Sequence, residues 1–382
     1  MSVIKTMKML SSWLAAILLF GPAIALADYK LNMTPGVTEI SHEVFNIHML
    51  VLWIVTVVGV VVFAVMIYSI INHRKSKGAK AAHFHESTAV EVIWTVVPLV
   101  ILVALAVPAT KTILKMDNMK DSDINIKVTG SQWKWQYEYM DEAGLKFISN
   151  LAEASNKARA LKSGIDPRTV ENYLLDVDEP MYVPIGKKVR MLIASTDVIH
   201  SWWVPALGMK RDAIPGYIRQ MWFRADEEGI YRGQCAELCG KDHGFMPIVV
   251  HVVSEAKYKD WVAAKKQLMA AGAGADDKTF SKEELLAKGQ QLYNTTCAGC
   301  HGVEGVAAAP IFPNMKGSKI ATGKLADHLA MVIHGSKKNP TMTAFGKQFN
   351  NLDLAAIITY ERNAFGNNTG DVVQPATVKA AR

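Results

Sequence analysis

The chain has 382 residues, half of them hydrophobic and 20% charged, with a formal net charge of +7. That length holds two or three domains, each able to bury a core, and the positive balance does not mark a nucleic-acid binder, because the basic residues form no single patch or stripe. The four cysteines fall in two close pairs, Cys235/Cys239 and Cys297/Cys300, a usage that points to cofactor sites before a disulfide framework.

Residues 1–27 read as a secretory signal. Lys5 and Lys8 give the basic start, Trp13 to Phe20 the apolar stretch, and Ala25-Leu26-Ala27 the small residues at the cleavage positions. An uncleaved anchor is the rival reading, against which Gly21 and Pro22 cut the apolar run short. Segment 28–119 carries two further apolar runs, Met49 to Ile71 and Val92 to Thr110, the second containing Pro98 and Pro108. Each is long enough to cross a hydrocarbon core, and a run without a polar face has only lipid or neighbouring helices to meet. Helices over about 48–71 and 91–113 are predicted. The loop between them, NHRKSKGAKAAHFHEST, has four Lys or Arg and one Glu, which places it in the cytoplasm and everything after about Lys115 outside. On composition alone Glu91 marks the membrane boundary.

From Asn125 the pattern changes to short alternating stretches: INIKVTG, WKWQYEY, VRMLIAST, QMWFRA and PIVVHVV. Period-two alternation predicts a small antiparallel β-barrel or sandwich over 120–253, with the more polar stretch 150–179 as an excursion. Two places carry chemistry. One is His200 in DVIHSWWVP, placed just after a strand; the other is the loop GQCAELCGKDHGFMP, which supplies Cys235, Cys239, His243 and Met246. Two thiols, two imidazoles and a thioether form a soft ligand set that selects copper. Zinc is a rival but leaves Met246 without a role, and a Cys235–Cys239 disulfide is another.

The segments SQWKWQYEY, DVIHSWWVPALGMKRDAIPG and YRGQCAELCGKDHGFM, with the helix opening VEVIWTVVP, resemble subunit 2 of haem–copper cytochrome c oxidases over about residues 40–253. The resemblance implies an all-β, cupredoxin-like domain holding a binuclear CuA centre. In it Cys235 and Cys239 bridge the two coppers, and His200 and His243 each ligate one. Met246 and the main-chain carbonyl of Glu237 are the weak ligands. The resemblance further implies that the Glu237 side chain reaches a magnesium ion shared with subunit 1, that Trp133 is the point of electron entry, and that Glu91 stands at the mouth of a proton channel. Without it, Trp133 reads as part of an aromatic strand face and Glu237 as a solvated carboxylate. The implied partners are subunit 1 with its haem a and CuB, subunit 3, a cytochrome c donor and membrane lipid. The implied location is a bacterial inner membrane, with the redox domains on the periplasmic side.

Residues 254–280 read as a helix followed by an Ala/Gly-rich linker, AAGAGADD. In 281–370, Cys297-Ala298-Gly299-Cys300-His301 is a C-x-x-C-H haem c attachment site: two thioethers fix the porphyrin and His301 is held beneath the iron. A methionine on the opposite face would raise the potential, and Met342 is the candidate. The stretch NPTMTAFGKQFNNLDLAAIITYERNAFGN around it resembles class I cytochrome c, an all-α fold. Thr343 stands where that pattern has proline, and Met315, Met331 and His334 remain alternatives. Residues 371–382 read as a tail. The chain as a whole is then multidomain: a two-helix transmembrane hairpin, a CuA domain and a cytochrome c domain. Together they would pass electrons into a proton-pumping oxidase that reduces oxygen on another subunit. The rival readings are a nitric or nitrous oxide reductase component, a quinol oxidase subunit and a free-standing electron carrier.

Overall fold

The computed structural model describes residues 32–382 apart from 81, 82, 84, 161, 162, 308–311, 340, 341 and 347; the expected signal, 1–27, lies outside the described residues. Two long helices come first, α1 (Glu39–Asn72) and α2 (Thr88–Met116). Their membrane-length apolar windows are wholly unburied, as a lipid-facing hairpin requires and a soluble core helix does not allow. Both extend beyond the predicted spans. In α1 a capping box between Thr38 and Ser41 starts the helix more than two turns before the apolar run, and Ile40 and Ser41 are buried. Lys115 near the end of α2 pairs with Glu39 and Glu43 at the start of α1, and the Thr112 hydroxyl also donates to Glu43 at 3.0 Å. The hairpin is closed at this end by charges that the apolar pattern does not reveal.

The next domain is a sandwich of two five-stranded sheets. One has the order β3-β2-β1-β5-β8, from β1 (Ile124–Ser131), β2 (Lys134–Tyr139), β3 (Lys146–Ser149), β5 (Val189–Ser195) and β8 (Arg219–Phe223). The other has the order β4-β10-β9-β6-β7, from β4 (Met181–Pro184), β6 (His200–Val204), β7 (Met209–Ala213), β9 (Gly229–Cys235) and β10 (Ile248–Val253). Alternate residues of β1 and β5 point inward, where Trp135, Tyr137, Trp202 and Phe223 fill the space between the sheets. The predicted all-antiparallel pairing needs correction, because β1 pairs with β5 and β4 with β10 in parallel. Parallel neighbours need a long crossover, and the excursion 150–179 is part of that connection. It holds the short helix α3 (Glu153–Ala158).

The helix expected at the start of segment 254–280 is present, and it is not a free element. Helix α4 (Glu255–Ala273) docks on the sandwich: Tyr258 and Val262 are buried, and Trp261 stacks on Tyr182 at 4.9 Å. The haem-type domain follows, with α5 (Lys282–Thr296), α6 (Ala298–His301), α7 (Leu325–His334), α8 (Asn351–Asn363) and α9 (Pro375–Ala381). Helices α5 and α8 cross at Gly289, where a Cβ would lie 2.1 Å from the Ala356 carbonyl oxygen. The predicted tail 371–382 is instead part of this core. Val373 and Val378 are buried against α7 and α8, Pro375 opens α9 at a position that suits proline, and the Val373 amide donates to the Thr359 hydroxyl.

Candidate metal centre and haem cleft

The first cluster gathers at one end of the sandwich. Strand β9 ends in Cys235, and the loop after it carries Cys239, a short 3-10 turn at His243–Phe245, and Met246 just before β10. His200 follows β5 after a short turn and opens β6, which pairs with β9 so that Trp202 faces Cys235. The donors converge. Cys235 Sγ lies 3.8 Å from Cys239 Sγ, 4.0 Å from His200 Nδ1 and 3.4 Å from the Glu237 carbonyl oxygen. Cys239 Sγ lies 3.5 Å from His243 Nδ1 and 3.6 Å from Met246 Sδ. A disulfide would bring the sulfurs to about 2.05 Å, so both thiols are free. Met246 is 1% exposed and turned toward Cys239, a placement that gives the thioether a part a zinc site would not use. Two thiols, two imidazoles, a thioether and a carbonyl around one small space fit soft-metal chemistry, and copper in particular. The Glu237 side chain points away to Lys210, 3.8 Å off.

The surroundings hold these donors in place. His200 Nε2 donates to Asp197 at 2.9 Å, which turns Nδ1 toward Cys235. Asp197 is fixed in turn by the amides of Gln132 and Val198. Burial disfavours charge on both, but their mutual hydrogen bond prevails, raising the His200 pKa and lowering that of Asp197. The Cys235 thiol is pushed down to about 3, chiefly by the hydrogen bond from Cys239 and then by His200, while Cys239 is pushed up by that same hydrogen bond and by burial. One negative charge forms readily here, and the second needs a cation to share it.

Gln132 and Trp133 are the two-residue turn of the β1–β2 hairpin. Gln132 Nε2 and Trp133 Nε1 both donate to the Cys239 carbonyl, at 2.8 and 3.2 Å. Gly240 makes room for them: its φ is +117°, and a Cβ there would meet Gln132 Nε2 at 3.0 Å. The far side of Trp133 packs edge-on against Phe312 of the haem-type domain, with ring centroids 6.5 Å apart.

The second cluster lines a cleft of about 200 Å³ between the two domains. Cys297, Cys300, His301, Met315, Met331 and Met342 all border it. His301 Nδ1 donates to the Pro313 carbonyl at 2.8 Å, leaving Nε2 as the ring's free nitrogen for an iron. Both cysteines are free, and burial pushes both thiols up. An apolar slot with two thiols, an oriented imidazole and thioethers suits a covalently held haem. His334 is not among the residues bordering it. Glu91 stands exposed in the first turn of α2, remote in the chain from both clusters.

Sequence reasoning missed Gln132 and Lys134, which reach from the copper-type domain to complete the cleft wall. It also missed Asp197 and the Arg159–Asp242 ion pair (3.2 Å), which joins the excursion to the cysteine loop. That loop touches the haem-attachment segment, where Lys241 Nζ donates to the Gly299 carbonyl at 3.3 Å. Asp197 carried a signal, lying three residues before His200, and Gln132, Lys134 and Asp242 lie beside Trp133 and His243; only Arg159 comes from a remote segment.

Comparison with known proteins gives three family matches. Residues 27–112 match the transmembrane domain of cytochrome c oxidase subunit II and residues 124–253 its periplasmic domain. Residues 284–360 match cytochrome c oxidase, cbb3-type, subunit III. A probable cytochrome c oxidase subunit 2 of Rickettsia bellii is 36% identical over 244 residues, covering 64% of this chain and 87% of its own length. The cytochrome c oxidase subunit 2 of Cereibacter sphaeroides is 35% identical over 236 residues, covering 60% of this chain and 78% of its own. The crystal structure of the periplasmic domain of subunit II of cytochrome oxidase from Bradyrhizobium japonicum is 41% identical, covering 38% of this chain and 96% of that one, with a TM-score of 0.33.

Proposed function

Because this chain belongs to the cytochrome c oxidase subunit 2 family and carries a cytochrome c domain after it, we propose that it is the electron-entry subunit of a proton-pumping terminal oxidase. It is a membrane protein with an electron-transfer role in a haem–copper oxidase complex. In the finer reading, a cytochrome c donor reduces a haem c on this chain. The electron then passes to CuA and on to haem a of subunit 1, where oxygen becomes water beside CuB. A haem and a copper pair each supply reversible one-electron chemistry when bound.

The chain's own residues do the rest. Cys297 and Cys300 would tether the haem, while His301, oriented from behind by the Pro313 carbonyl, and Met342 would hold its iron, where a thioether donor would raise the potential. Cys235, Cys239, His200, His243, Met246 and the Glu237 carbonyl would hold the copper pair. Asp197 accepts from His200 Nε2 and so would fix the orientation of that imidazole toward the metal. Trp133 and Gln132 stand between the two centres. The Glu237 carboxylate reaches magnesium together with subunit 1, and Glu91 stands at the proton-channel mouth of that subunit. Subunit 3 is a further partner. The basic loop between α1 and α2 faces the cytoplasm, which leaves both redox domains on the periplasmic side of a bacterial inner membrane.

One observation carries this reading. Gln132 borders the haem cleft and donates to the carbonyl of Cys239, so this one side chain reaches both clusters. The test is metal analysis, haem assay and electron paramagnetic resonance on the purified complex. Two coppers with a mixed-valence signal and one covalent haem per copy of this chain are expected. One zinc, or haem with no copper, would overturn the relay.

A further inference from the structure

Lys134 follows the Gln132–Trp133 turn and is only 5% exposed. Its Nζ lies 4.5 Å from the centre of the Phe345 ring, which belongs to the haem-type domain. With Phe345, Cys297, Cys300 and Met342 it borders the cleft. Among the described residues no carboxylate pairs with it. Those nearby are taken: Asp197 by His200, Glu361 by His328, and Asp242 by Arg159. A buried ammonium without a carboxylate partner among the described residues is costly, and burial pulls its pKa below that of an ordinary lysine. Negative charge on Cys297 and Cys300 would ease that cost, but thioether formation removes it. An anionic occupant of the cleft would answer Lys134.

We propose that Lys134 is a cation that the copper domain inserts into the haem cleft, where it favours the reduced haem and ties the two domains more tightly in that state. This rests on the haem reading above. Haem c is a dianionic ring bearing two carboxylates, so with ferric iron it is a net anion, and one added electron deepens the charge. A fixed positive charge in the same cleft therefore stabilises the reduced form more than the oxidised form. Lys134 belongs to the other domain, so the coupling is reciprocal: whatever factor domain contact contributes to reduction, reduction returns to domain contact. The haem domain is then held most firmly over the Gln132–Trp133 turn when it has an electron to deliver.

The test uses the purified complex with Lys134→Met, which keeps the apolar stem, and Lys134→Arg, which keeps the charge. Redox titration follows the haem c visible bands and the CuA near-infrared band in parallel. In Lys134→Met the oxidised-to-reduced ratio of haem c at fixed potential should rise about tenfold, a downward shift of about 59 mV for a one-electron couple. CuA should move less than half as far, and Lys134→Arg should stay near wild type. Amide hydrogen exchange across 150–160 and 290–300 should slow on reduction in wild type and lose that response in Lys134→Met. An unmoved haem potential, or equal shifts at both centres, overturns the proposal. If Lys134→Met fails to mature, Lys134→Gln carries the same expectation. A wild-type chain without covalent haem overturns both this inference and the proposed function, whereas haem present with an unmoved potential overturns this one alone.

Discussion

Gly289→Ala tests whether the haem-type domain stands on the crossing of α5 and α8. The added methyl would lie 2.1 Å from the Ala356 carbonyl oxygen and 2.7 Å from Tyr360 Cβ. Ordinary contact begins at 3.4 Å, so the helices must part by more than 1 Å. The obstacle is backbone, not the end of a flexible side chain. The face that would be pried open is fully packed, with Leu354, Ala355, Ala356 and Ile358 all buried. Overpacking costs about 1–3 kcal/mol in typical cores, and a backbone clash at a helix crossing belongs at the upper end. At about 4–8 °C per kcal/mol for a domain of this size, a cost of about 3 kcal/mol lowers its melting temperature by roughly 12–24 °C. The assay is thermal unfolding of the intact chain, read at the Soret band for this domain and at the near-infrared copper band for the sandwich. The first transition should fall and the second stay in place. A Soret shift under about 4 °C, equivalent to less than about 1 kcal/mol, would refute the argument that this close approach is what admits only glycine.

The other expectations concern the two centres and the excursion. Cys235→Ser should abolish the near-infrared copper band and leave covalent haem intact; a surviving band would remove Cys235 from the ligand set. Met342→Ala should remove the weak iron–sulfur absorption at the red end of the haem c spectrum, and Met315→Ala should not. Asp178 is pushed up to about 7 by burial, despite hydrogen bonds from the Asn150 amide and side chain. Its folded pKa lies above the unfolded value, so the native state holds the proton more tightly, and stability is full below about pH 4 and is lost as pH rises through 7. Asp178 is itself solvent-exposed, so water screens much of this effect: the sandwich should lose no more than about 1 kcal/mol over that range, and Asp178→Asn should flatten the profile measured by thermal unfolding.

Much of the architecture was legible because it is written in short-range pattern. Apolar runs without charge can only span a bilayer, alternation over INIKVTG and VRMLIAST can only face a sheet interior, and C-x-x-C-H carries its own geometry. The elements that went astray were those whose state depends on remote partners. Residues 371–382 look like a polar tail until Val373 and Val378 find α7 and α8. The helix that opens segment 254–280 is as expected, but its docking on the sandwich shows only when Trp261 meets Tyr182 and Tyr139. The parallel pairing of β1 with β5 has no local sign, since register between distant strands is set by the whole sandwich.

The sequence by itself determined the two cofactor chemistries, because ligand type and spacing within a loop fix what a metal or a porphyrin can bond. Only the tertiary structure decided how the centres face each other. Gln132, Lys134 and Phe312 come from segments some 180 residues apart, and meet because the sandwich, the excursion and the haem-type domain pack together. Proximity of that kind is a property of packing, and a chain's local pattern holds no record of it.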